Sequence, residues 1–174
     1  MTYKEFCCCL AEIFLSVVRS IVPLVLLTLF VASPALADDA DKVILTVAGK
    51  ADRPARFTLA DLDALPQAEI RTSTPWHDGV KRFTGPSLAE LLRKVGATGS
   101  ELAVTALNDY SVRLPASDAA ESGPILATRI DGQPIAVRAK GPIFIIYPFD
   151  AKPQLRIETI YNRSVWQVKQ IDVQ

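Results

Sequence analysis

No cysteine follows Cys9, and the chain holds a single histidine, His77. Cys7, Cys8 and Cys9 stand together ahead of an apolar run, so everything after that run offers no disulfide, no thiolate metal ligand and no cysteine nucleophile. With one imidazole and no thiolate, a zinc site would have to be built mainly from carboxylates, against that metal's usual preference for nitrogen and sulfur. A serine–histidine–acid triad would have to use His77, and no G-x-S-x-G elbow is present. Excess charge is missing as well. Lysine plus arginine number 19 and aspartate plus glutamate 19, so no net field draws nucleic acid or an anionic membrane surface. The sequence also shows no repeat, low-complexity tract or linker that would divide it.

What is present is enough apolar material for one core: 49% of 174 residues. The N-terminal stretch stands apart. Ile21 to Ala32 reads IVPLVLLTLFVA, short for a bilayer span, with Arg19 before it and the small-x-small site Ala35-Leu36-Ala37 after it. The expectation is a secretory signal peptide over residues 1–37 and a single periplasmic domain over 38–174, free of the membrane after cleavage. Arg19 has no arginine beside it, so the twin-arginine signal of proteins exported already folded is absent.

Beyond residue 38 the pattern alternates short strands with short helices. Val43–Val47 (VILTV) predicts a strand, and in FTLADLDALP Thr58 caps a brief helix that Pro66 closes. Ala68–Thr74 reads as a strand, His77-Asp78-Gly79 as a turn, and Val80–Thr84 as extended chain. Ser87 then caps a helix in which Leu88, Leu91, Leu92 and Val95 fall on one face, with Gly96 at the left-handed C-cap position. Strands are predicted at 102–107, 110–114, 125–130, 143–147 and 165–173, with a helical turn at 116–121 and a hairpin turn at Asp131-Gly132. The sum is an α+β domain, mostly β, with a few short helices.

The order of segments LTVAGK, FTLADLDALPQ, AEIRTSTPW, FTGPSLAELLRKVGA, LNDYSVRLPASDA, ILATRIDGQPI, KGPIFIIYP and RSVWQVKQIDV resembles the molybdopterin-binding oxidoreductase domain of the sulfite oxidase family across residues 43–173. The resemblance implies a mixed, mostly β fold with a pterin cofactor in a cleft and its molybdenum held by one protein cysteine. The positions nearest that cysteine are here Thr72, Ser73 and Thr74. A hydroxyl is a poor substitute for the soft sulfur that holds and tunes a redox metal. The chain is also short for the family, which leads to the expectation of an incomplete cleft. The sequence therefore leads to a non-catalytic, exported ligand-binding or sensory accessory protein with no cofactor, molybdopterin being suggested by resemblance alone. The alternative is a molybdopterin-dependent oxidoreductase with a non-cysteine metal ligand.

By the same resemblance Arg71, His77, Arg82, Arg113, Lys140 and Arg163 lie on cofactor-facing segments and are candidates to hold an anion such as phosphate or carboxylate. Arginines on strand ends are as readily accounted for by solvation or surface ion pairs, and His77 by a turn. Thr74, Trp76, Asn108 and Tyr110 complete the candidate set, Trp76 and Trp166 being either packing residues or the wall of a site for a small planar ligand. Lys140-Gly141-Pro142 either turns backbone amides toward an anion or enters a strand. The implied partners are a small anionic or planar ligand and a periplasmic protein.

Overall fold

The computed structural model describes residues 42–120 and 122–174. The expected leader and its cleavage site lie outside the described residues. Among the described residues there are eleven strands in three sheets and three short α-helices, α1 (Leu59–Asp63), α2 (Leu88–Val95) and α3 (Glu158–Arg163). The largest sheet has the order β2 (Ala55–Thr58), β1 (Val43–Gly49), β11 (Val168–Val173), β5 (Glu101–Ala106), β6 (Ser111–Pro115). Its β1 and β11 pair in parallel, Thr46 opposite Gln170 and Gly49 opposite Val173, and the other pairs are antiparallel. A four-stranded antiparallel sheet runs β3 (Gln67–Thr74), β4 (His77–Pro86), β8 (Arg129–Ile130), β9 (Gln133–Pro134). A ribbon of β7 (Ile125–Ala127) with β10 (Phe144–Ile146) makes the third.

The ribbon divides the interior in two. All six of its residues are buried, as a strand covered on both faces requires. Because side chains alternate along a strand, Leu126 and Ile145 enter a main core with Leu45, Val47, Leu102, Val104, Val168 and Ile171, while Ile125, Ala127, Phe144 and Ile146 enter a second core with Ile70, Phe83 and Ile135. Helix α2 seals the main core with Leu88, Leu91, Leu92 and Val95. Ser87 Oγ accepts from the Glu90 N–H at its start, and Gly96 ends it at φ 63°, a left-handed conformation that costs glycine little. Gly85 lets β4 pass close to β7: a Cβ there would lie 2.0 Å from the Leu126 carbonyl oxygen.

The predicted strand at 125–130 is two strands in different sheets, broken at the buried Thr128. His77-Asp78-Gly79 is not the turn after β3. Pro75-Trp76 makes that turn, Thr74 pairs with His77 and Ser73 with Val80, and Asp78-Gly79 are absorbed as an irregularity in β4 with Gly79 at φ 70°. The physical reason is the proline: its fixed φ suits a turn position directly after β3. The last strand starts at Val168 rather than 165, because Gln167 at φ 56° breaks the extended run. Short β2 and uncapped α3 carried no sequence signal.

Candidate functional site

The end of β3 is closed by its own hydrogen bonds. Ser73 N–H and Oγ–H donate to the two oxygens of Asp150 at 3.0 and 2.9 Å, and the Asp150 N–H donates to Thr72 Oγ at 3.1 Å. The Arg156 guanidinium donates to Ser73 Oγ at 2.8 Å and forms an ion pair with Asp150. Partial burial pushes the Asp150 carboxyl up, but hydrogen bonds from Ser73 and Thr72 and the adjacent Arg156 charge outweigh it and hold the group below the usual carboxylate range. Thr72 is fully buried, and Thr74 Oγ lies 3.1 Å from His77 Nδ1. All three hydroxyls where the family resemblance implies a cysteine thus have partners within the protein.

Directly after this strand end, Pro75 and Trp76 form one wall of a cavity of about 380 Å³. Its other walls are Ala106, Asn108 and Tyr110 from the β5–β6 turn and Tyr161, Asn162, Ser164, Val165 and Trp166 from α3 and the segment after it. The rings meet at steep angles: Trp76 lies 5.9 Å from Trp166 at 64° and 5.9 Å from Tyr161 at 89°. Phe144 supports the tryptophans from the second core, at 5.4 Å from Trp76 and 6.1 Å from Trp166. Tyr110 is 50% exposed and Trp166 36%, so the cavity presents aromatic faces that the fold itself does not cover.

Of the sequence candidates, Trp76, Asn108 and Tyr110 therefore come together in one cavity. Lys140 stands beside it, its Nζ 4.5 Å from the Trp166 ring centroid. Thr74 and His77 sit at the foot of the hairpin, with the imidazole against Phe83 and Phe144. Burial, then Lys140 and Lys81, lower the His77 pKa from its usual value, Asp131 opposing them. The arginines are dispersed and paired. Arg71 and Arg82 face each other across β3 and β4 with Glu69 between them, Arg71 Nε at 2.9 Å and Arg82 at 3.9 Å, and both line a shallow depression with Val80, Lys81 and Asp131. Arg113 pairs with Glu101 at 3.1 Å and lines neither cavity. Arg163 pairs at 3.1 Å with Asp118, which also accepts the Tyr147 hydroxyl at 2.7 Å. Arg71 and Arg113 thus share no concavity in these two sites, and a joint anion clamp has no geometric basis. The sequence reading missed Arg156, Asp150, Tyr161 and Asn162. Trp166, a packing or wall residue by sequence, is a wall of the cavity.

This architecture is a mixed β domain in which a buried ribbon carries two cores and a closed strand end lies beside an aromatic cavity. Residues 32–149 match the oxidoreductase molybdopterin-binding domain, and the chain belongs to that family. Its fold is similar to that of the sulfane dehydrogenase SoxCD from Paracoccus pantotrophus, with a TM-score of 0.58 at 16% identity, over 78% of this chain and 39% of that one. The chain therefore spans well under half the length of that relative. No curated protein matches it.

The described residues do not fit the molybdenum the family name implies. They contain no cysteine, the hydroxyls of Thr72, Ser73 and Thr74 are engaged as above, and among them no group of three or more His, Cys, Asp or Glu side chains is placed to hold a metal ion.

Proposed function

We propose that this family member is a non-catalytic, exported accessory protein that binds a small ligand in the Trp76–Trp166 cavity and performs no molybdenum chemistry. The observation that carries the reading is the contrast at the end of β3. The hydroxyls nearest the family's metal ligand are bonded to Asp150, Arg156 and His77, whereas in the adjoining cavity the Tyr110 and Trp166 rings stay partly exposed. A neutral hydroxyl already donating to a carboxylate has little to offer a soft metal, while a concave apolar site with a few polar groups is what small ligands occupy. Periplasmic location is part of the proposal and rests on the Ala35-Leu36-Ala37 site.

Native mass spectrometry of protein purified from its own host tests this. The expected spectrum shows a polypeptide beginning near Asp38 with a bound organic species that is lost on denaturation. A chain retaining the residues before Ala37 contradicts export, and a bare polypeptide in every preparation contradicts ligand binding.

A further inference from the structure

We infer that the ligand of the Trp76–Trp166 cavity is an uncharged planar nitrogen heterocycle of nucleobase type, stacked on an exposed ring and held at its edge by the amides of Asn108 and Asn162. The inference rests on the ligand-binding reading above and adds the chemical class. Four classes of small ligand compete for a site with aromatic walls, and the lining separates them.

An anion is held most strongly by charged donors, and no residue of the lining is cationic. The neighbouring cations are otherwise occupied: Arg163 is paired with Asp118, and Lys140 lies over the Trp166 ring. A cation is favoured by aromatic faces in general, but here an ammonium already sits 4.5 Å from the Trp166 centroid, and no carboxylate in the lining offsets its repulsion. A neutral polyol would enter with hydroxyls around its whole circumference. Each needs a partner when buried, and the lining is mostly rings and aliphatic groups, with Ser164 Oγ already donating to the Ile160 carbonyl at 3.1 Å.

A planar heterocycle meets the site differently, because its polar atoms lie only along its edge and both faces are apolar. The faces need a flat wall, and half-exposed Tyr110 and Trp166 offer one. The edge needs adjacent donor and acceptor groups, which a primary amide supplies together. Asn108 Oδ1 accepts from the Tyr110 N–H at 3.2 Å, which fixes the side chain and leaves its NH₂ directed elsewhere. Asn162 is exposed and has no side-chain hydrogen bond to another described residue. A cavity of about 380 Å³ is at the small end of ligand sites, suited to one or two fused rings.

Isothermal titration calorimetry on the mature chain, freed of any co-purified ligand, with adenine, hypoxanthine and uracil, and with glucose, choline and inorganic phosphate, tests the assignment. Saturable binding of at least one base is expected, with no heat from choline, phosphate or glucose. Asn162→Ala should weaken base binding by roughly 3- to 10-fold, as for one lost hydrogen bond. Trp166→Ala should weaken it by at least about fivefold, as for a lost stacking surface. Lys94→Ala, on the solvent face of α2, should leave it unchanged. Saturation by choline, phosphate or glucose with the bases silent overturns the ligand class while leaving a small-ligand site. Base binding that is indifferent to both Asn162→Ala and Trp166→Ala overturns the location. Silence from all six compounds overturns the heterocycle, and the native mass spectrum then decides separately whether any ligand is bound at all.

Discussion

The closed end of β3 and the open cavity beside it are built from consecutive residues, Thr72–Thr74 and Pro75-Trp76, yet they behave as opposites. At the first, each hydroxyl is bonded to a neighbour, and the hydrogen bonds of Thr72 and Ser73 tie the strand to the loop in which Asp150 and Arg156 form an ion pair. At the second, Trp76 is packed by Phe144 on one side and lines a concavity on the other. The lesson is that recognition capacity lies where groups are held without being satisfied. Buried polar groups in a finished network stabilise and position; they have little left for a ligand. An aromatic face held by its edge still has its apolar surface to give.

The largest effect should come from the residue that supports both regions. Phe144 is fully buried and touches Trp76, His77, Phe83 and Trp166. Phe144→Ala is expected to cost about 3–5 kcal/mol of stability in chemical denaturation, from lost burial and the cavity left behind. A cost below about 1 kcal/mol would show that the second core does not hold the tryptophans in place.

Next comes the closed strand end. Asp150→Ala removes the acceptor of Ser73 and the partner of Arg156, and because the site is partly exposed the expected loss is about 1–2 kcal/mol. Ligand affinity in the aromatic cavity should stay within about twofold, since the cavity lining does not include Asp150. A neutral stability effect with a large loss of binding would reverse the roles assigned to the two regions.

A smaller effect is expected from pH at the boundary between them. The His77 pKa is lowered in the fold, mainly by burial and then by Lys140 and Lys81. The unfolded chain then takes up the proton first as pH falls through its usual 6.5, so this contribution to stability is complete above that value and is lost toward the folded pKa. Denaturation midpoints of the native chain should therefore fall more between pH 7.5 and 5.5 than those of His77→Gln. Parallel curves would show the imidazole to be solvated like a free histidine.

The smallest effect on stability belongs to the open cavity. Tyr110 is 50% exposed, and Tyr110→Ala should change stability by no more than about 0.5 kcal/mol while weakening ligand binding. A loss above about 2 kcal/mol would make Tyr110 a packing residue and remove the distinction between the two regions.

The sequence made part of this visible. The Ser87 cap, the Leu88–Val95 face and Gly96 form a local signal strong enough to place α2 at its observed limits, and Asp131-Gly132 likewise placed the β8–β9 hairpin. The division of 125–130 was not legible, because ILATRI holds no glycine or proline to mark a break and the β-branched Thr128 itself suits extended chain. Helix α3 has Ile157 at its N-cap, which offers no side-chain hydrogen bond, so nothing announced it, and with it went Tyr161 and Asn162. The pairing of Arg156 with Asp150 and of Arg163 with Asp118 depends on loops meeting in space. Position along the chain marked those cations as candidates; only their partners show which are engaged.

Molybdenum content per polypeptide, measured by elemental analysis on protein purified from its own host under molybdate-replete growth, separates a ligand-binding scaffold from a metalloenzyme. The ratio is expected far below stoichiometric, since the Thr72–Thr74 strand end offers engaged hydroxyls and no thiolate. One molybdenum per chain would contradict it and make a non-cysteine ligand set the problem to solve.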